Sequence, residues 1–179
     1  MRAKHSGSYR VALGGIVSAL CLTVMFLSAV LPALYIAAPM LAGMLMLILA
    51  EEVSRAWGWL TYIAVSLLSL IVIPDKEAAL MFILFFGYYP LLRAFLERIP
   101  QRGLRFAAKL LLYNVFLLAD FWLTVYVLGL PTFEDTAPWM YIALLAGANL
   151  LFQLYDRLLS RIGPFYRNYF VRRVLGRRK

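Results

Sequence analysis

Asp120 is the residue in this chain best placed to do chemistry, because it interrupts a long apolar run in which an aspartate costs about 2.5–3.5 kcal/mol to insert into a bilayer. It must face water, a solute or a polar partner. At 100° per residue Lys109, Tyr113, Asp120 and Thr124 fall within about 60° of one another, so they share one helix face. On the next apolar run Asn149, Gln153 and Asp156 follow one another at i, i+4 and i+7 and make a second polar face. Counting residues from the outer ends of the two runs sets Asp120 level with Gly147 and Asn149, which predicts an Asp120–Asn149 hydrogen bond. Two roles are open to these residues. They can glue helices, usually for about 0.6 kcal/mol each, or they can face a ligand or an ion. In the second role Asp120, Asn149 and Tyr113 form the inner wall of a pocket. Its rim is then the turn holding Asp75, Lys76 and Glu77, which offers both charge signs to a polar solute. Asp75 can equally cap the helix that follows, with Glu77 near that helix's positive end.

Other catalytic chemistries are excluded by residue type. One histidine, His5, lies in the polar N-terminal stretch, and one cysteine, Cys21, lies in an apolar run. Imidazole triads, an intrachain disulfide and a cysteine metal cluster are therefore ruled out, and no catalytic residue, metal ligand or cofactor is expected. Glu51-Glu52-Val53-Ser54-Arg55 is close to the EExxxR pattern of intramembrane proteases, but its arginine comes one residue early and the later histidines are missing. The acidic pair instead suits a helix end bonded to Arg55 or to the basic loop further on. No GxxxxGK[ST] run is present, so any ATP-driven step needs separate subunits. Tyr62, Ser66 and Ser69 share a face that can serve a pocket or a helix contact. Gly87-Tyr88-Tyr89-Pro90 reads as an interfacial tyrosine belt with a proline kink.

The elements that position these residues are set by composition. Of 179 residues 64% are hydrophobic and 15% charged, well above the 45–50% apolar share of soluble domains. Uncharged apolar runs occupy Val11–Leu31, Leu34–Ala50, Trp57–Ile73, Ala78–Leu92, Phe106–Leu130 and Ala137–Tyr155. At about 20 residues per crossing they predict an all-α membrane protein, a six-transmembrane-helix bundle. Pro32 and Pro39 bracket an apolar first connection, so the second helix can begin near Pro39 and run past Glu51. With the N-terminus in the cytoplasm, 17 of the 18 Lys and Arg lie inside and only Lys76 outside, so both termini are expected to be cytoplasmic in a bacterial inner membrane. The 21-residue first run exceeds a signal-peptide core and reads as an uncleaved helix. The chain divides into one transmembrane domain, 1–158, and a basic amphipathic C-terminal tail, 159–179. There Arg161, Arg167, Arg172, Arg173, Arg177, Arg178 and Lys179 alternate with Phe165, Tyr166, Tyr169 and Phe170. Basic residues interleaved with aromatics next to a span suit anionic lipid headgroups rather than nucleic acid.

In the first run Gly14 and Ser18, and Gly15 and Ala19, are small pairs four residues apart, a spacing that lets membrane helices approach closely. Six helices, both ends inside, a small-residue first helix and an apolar first outer loop together resemble the substrate-binding S components of energy-coupling factor (ECF) transporters. The likeness covers about Tyr9–Arg157 and is one of architecture. It implies a small-molecule solute, a coupling subunit docked on Gly14, Gly15, Ser18 and Ala19, and partner ATPases. The expected function is uptake of a small micronutrient by a non-enzymatic binding subunit. The alternative is a membrane scaffold or assembly factor whose basic tail holds lipid or a partner. A roomy, polar-lined outer cavity under the first loop favours the binder, and a solid core favours the scaffold.

Overall fold

The computed structural model describes residues 7–129 and 138–165, and they are helical almost throughout. α1 (Gly7–Val30) leads through a 3-10 turn at Pro32–Leu34 to α2 (Ala37–Glu52), and α3 (Arg55–Val72) follows. Next come α4 (Lys76–Met81), a π-helical turn at Phe82–Phe86 and α5 (Tyr89–Leu96), which together make one compound segment. α6 (Arg102–Tyr126) and α7 (Pro138–Phe165) complete the bundle. Five stretches are long and apolar enough to cross a membrane: α1, α3, the compound segment Lys76–Leu96, α6 and α7. This is the make-up of a multi-pass membrane protein. Large apolar side chains such as Leu60, Leu67, Ile71, Leu111, Leu118 and Ile142 stand exposed on the outer faces, where only lipid offers them an apolar surround.

α2 differs from the rest. Its 16 residues span about 24 Å at 1.5 Å per residue, short of a 30 Å hydrocarbon core. It packs against α1, α3, α5, the π-turn and α7, and Ala42, Met46 and Leu49 are fully buried. Successive helices reverse direction. Tyr9 of α1 donates to Glu52 at 3.3 Å, and Ser28, at the other end of α1, donates to Asp75 at 3.1 Å. One end of the bundle thus gathers Glu52, Arg93, Glu97, Lys109 and Asp156 and is called here the basic end; the other gathers Asp75, Glu77 and Asp120.

Capping sets two of the starts. Ser54 accepts the Trp57 N–H at 3.4 Å before α3, and Asp75 accepts the Ala78 N–H at 3.2 Å before α4. The compound segment Lys76–Leu96 is not the single continuous helix that its apolar run predicts. Pro90 has no N–H and its ring crowds the carbonyl four residues back, that of Phe86. The helix widens instead, with Gly87 N–H reaching the Phe82 carbonyl at 2.8 Å, and restarts at Tyr89. Freed carbonyls find tyrosines: Tyr62 donates to Ile83 O at 2.7 Å and Tyr155 to Phe86 O at 3.4 Å. Gly43 of α2 lies against this turn, where a β-carbon would collide with the Phe86 carbonyl and sit 2.6 Å from the Tyr155 hydroxyl. Only a glycine lets α2 come that close.

Tyr88 and Tyr89 do not form the expected interfacial belt. Tyr89 is fully buried and stacks on Phe85 at 4.7 Å, and Tyr88 packs among Trp59, Tyr62 and Phe116. A tyrosine enters the interior when its hydroxyl has a partner there, and Tyr89 donates to Asp156 at 2.7 Å. α7 runs unbroken past 158 to Phe165, so the start of the basic tail continues the last helix. Residues 166–179, which carry most of that tail, lie outside the described residues.

Candidate functional site

A cavity of about 500 Å3 opens between α6, α7 and the π-turn. The reason lies in how α6 and α7 are tied. Toward the basic end Asn114 and Asn149 exchange side-chain hydrogen bonds at 3.0 and 3.2 Å, and Tyr113 stacks on Phe152 at 4.6 Å. Tyr113 and Ala148 close the floor above these contacts. Met81, Leu84, Phe85 and Phe86 form one wall, Phe116, Leu117 and Asp120 a second, and Met140, Leu144 and Gly147 a third. Ile36, from the first connection, contributes to the opposite end. The volume falls within the roughly 300–1,000 Å3 range of small-molecule sites. The lining, however, is apolar rather than polar: Asp120 is its one charged residue and Tyr113 its one hydroxyl.

Asp120 and Tyr113 thus line the cavity, and the other sequence-derived candidates do not. Asn149 is bonded to Asn114 and to the Leu145 carbonyl, so the expected Asp120–Asn149 bond is not made. Asp120 Oδ1 is shielded from solvent and has no hydrogen-bond partner. Of the expected rim, Asp75 is occupied as the α4 cap and as acceptor from Ser28, while Lys76 turns away to donate to the Leu70 and Ile73 carbonyls at 2.8 Å each. A lysine is favoured at those carbonyls because they end α3. The rim therefore does not present both charge signs. Glu77 is close enough for its charge to act on Asp120. Burial, followed by the Glu77 carboxylate and then Asp120 and Asp75, pushes the phenol of Tyr35 upward.

Lys109, on the same predicted face as Asp120, belongs to a different construction at the basic end. Its ammonium lies 2.6 Å from Glu97 and 2.8 Å from Asp156. Arg93 bonds Asp156 at 2.7 Å, Glu97 at 2.9 Å and Ser160 at 2.8 Å, and Arg105 reaches Glu97 at 3.1 Å. Burial works to raise the Glu97 carboxyl; the bonded Lys109 ammonium, with Arg93 and Arg105, outweighs it and holds the group below its ordinary value. This network clamps α5, α6 and α7 together. Sequence reading had Lys109 and Asp156 on separate faces and did not join them, though both stand at the basic ends of neighbouring inward faces. Asn114 was missed altogether.

The small residues of α1 divide. Gly14 is buried, with Thr61 Oγ1 at 3.4 Å from where a β-carbon would lie, and Ser18 donates to the Gly14 carbonyl at 2.8 Å. Gly15 and Ala19 are exposed, and nothing stands within 4 Å of a β-carbon placed on Gly15. Among the described residues no three His, Cys, Asp or Glu side chains converge as metal ligands do. Compared with models of protein families, with curated proteins and with solved structures, the chain gives no match.

Proposed function

We propose that this chain is a membrane-embedded solute-binding subunit that takes up a small micronutrient, with six passes, both termini cytoplasmic, and separate ATPase and coupling subunits supplying the energy. The observation that carries the reading is the Asp120 cavity, a space of about 500 Å3 with one carboxylate in an apolar lining. Its single carboxylate offers a bound solute one polar contact in an apolar surround, as small-molecule sites do. The alternation of helix direction and the gathering of Arg93, Arg98, Arg102, Arg105 and Lys109 near one end support the six-pass topology. The exposed Gly15 and Ala19 offer a smooth face on which a coupling subunit docks, and the basic tail holds anionic lipid.

The test is mass spectrometry of small molecules retained by the full chain purified in mild detergent, beside Gly147→Trp, whose indole fills the cavity. Gly147 lines the cavity, and nothing lies within 4 Å of a β-carbon placed there, so a side chain can start from it without a clash. A compound retained by the native chain and lost from the variant supports the reading. An identical set from both proteins overturns it and leaves the scaffold.

A further inference from the structure

We infer that the solute held in this cavity is a lipophilic monocation, an organic ammonium or a related onium ion with an apolar body, and that Asp120 is its counter-ion. The inference rests on the solute-binding reading above and narrows it to one class.

Three observations converge. The first is the isolation of Asp120: its Oδ1 is buried without a donor, although α6 carries a lysine on the same face. Lys109 is spent on Glu97 and Asp156, and the Asn149 amide is spent on Asn114 and Leu145. A buried carboxylate oxygen without a donor calls for a partner, and a solute in the cavity can supply one. The second is the sign of the surroundings. Glu77, one helical turn before the cavity-lining Met81, brings a second carboxylate to this side, Asp75 caps the same helix, and Lys76 is directed onto the α3 carbonyls. An anion entering here meets repulsion in a medium of low dielectric constant, and a neutral apolar solute leaves Oδ1 unsatisfied. The third is the character of the walls. Phe85, Phe116 and Tyr113 present aromatic surface within the cavity, and Met81, Leu84 and Leu144 present aliphatic surface. Aromatic faces attract organic cations, while strongly hydrated inorganic ions gain nothing from such a lining.

A probe pair of one shape and opposite charge separates the possibilities: tetraphenylphosphonium, a cation, and tetraphenylborate, an anion. Equilibrium binding of each radiolabelled ion is measured on the full chain in nanodiscs of zwitterionic lipid, after subtraction of empty nanodiscs. Cavity binding is defined as the part abolished by Gly147→Trp. The expected result is saturable cavity binding of tetraphenylphosphonium and none of tetraphenylborate, a comparison that needs no variant of Asp120. Asp120→Asn should weaken the cation at least tenfold, and Asp120→Glu, which keeps the charge, should lose less. Cavity binding of tetraphenylborate equal to that of the cation, or cation binding unchanged in Asp120→Asn protein of normal melting temperature, overturns the cation assignment while leaving the cavity as a binding site. If neither ion shows a component sensitive to Gly147→Trp, the assignment falls together with the solute-binding reading.

Discussion

Removing Asp156 tests whether the network at the basic end is the clamp that holds the last three helices. Its carboxylate accepts from Tyr89 and Arg93 at 2.7 Å and from Lys109 at 2.8 Å, and Lys109 is only 6% exposed. Two magnitudes compete. Deleting one member of a buried ion pair typically costs about 3–5 kcal/mol, because its partner is left charged and buried. Polar contacts between membrane helices average about 0.6 kcal/mol, because chains unfolded in the membrane find other partners. The first governs here, since the groups stranded by Asp156→Leu are a buried ammonium and a guanidinium. Glu97 still serves both, which places the expected loss at the low end, about 3 kcal/mol. Lys109→Met should cost a similar amount. The double variant Asp156→Leu with Lys109→Met removes both charges and should cost less than the sum of the singles by at least about 2 kcal/mol. The assay is unfolding of the purified chain in mixed micelles by sodium dodecyl sulfate, followed by far-ultraviolet circular dichroism. Single variants that each lose under about 1 kcal/mol, or a double variant whose loss equals the sum, would refute the reasoning.

Three further outcomes are expected. Glu97 has a depressed pKa in the folded state, so it adds stability above the ordinary value of 4.5, and this is lost as the pH falls through the folded value. The melting temperature should therefore drop more steeply on acidification below pH 4.5 in the native chain than in Glu97→Gln; parallel curves would count against the network. Gly43→Ala forces α2 away from the Phe86 carbonyl and should destabilise by about 1–3 kcal/mol, measured by the same unfolding assay, with a neutral result showing that the close approach is unnecessary. In a Cys21→Ala background, Lys76→Cys and Glu134→Cys should react with an impermeant thiol reagent in intact cells and Arg102→Cys should not, and labelling of the last alone would reverse the proposed orientation.

What could be read from the sequence depended on whether burial cost or register decided the matter. Asp120 stands out at any register because no bilayer position suits a carboxylate, and Tyr113 follows it by helical period. The Asp120–Asn149 bond failed on register. The apolar runs put the outer ends at Leu130 and Ala137, whereas α6 ends at Tyr126 and α7 begins at Pro138. Counted from those ends, Asp120 is level with Leu144, and Asn149 with the turn that holds Asn114. An error of about one helical turn therefore exchanged one polar partner for another. Tyr88 and Tyr89 failed for a different reason. Lipid and neighbouring helices are equally apolar, so hydrophobicity cannot say which faces a membrane tyrosine turns to. The π-turn has only Pro90 as its signal, and a proline announces an interruption without saying whether the helix bends or widens.

The widened turn at Phe82–Phe86 also separates two sets of ties along the segment Lys76–Leu96. Below it, Tyr89 and Arg93 of α5 are fastened to Asp156. Above it, Met81, Leu84 and Phe85 form a cavity wall whose backbone is joined to α3 by the Tyr62 hydroxyl, while the Tyr155 hydroxyl holds the Phe86 carbonyl to α7. Tilting the upper half as a rigid piece would sacrifice these two hydrogen bonds together with Ser28–Asp75 and the two from Lys76 to the Leu70 and Ile73 carbonyls, and would draw Ala79 and Phe82 out of the core. The two halves are thus anchored separately, the lower to α7 by charged groups and the upper chiefly to α3.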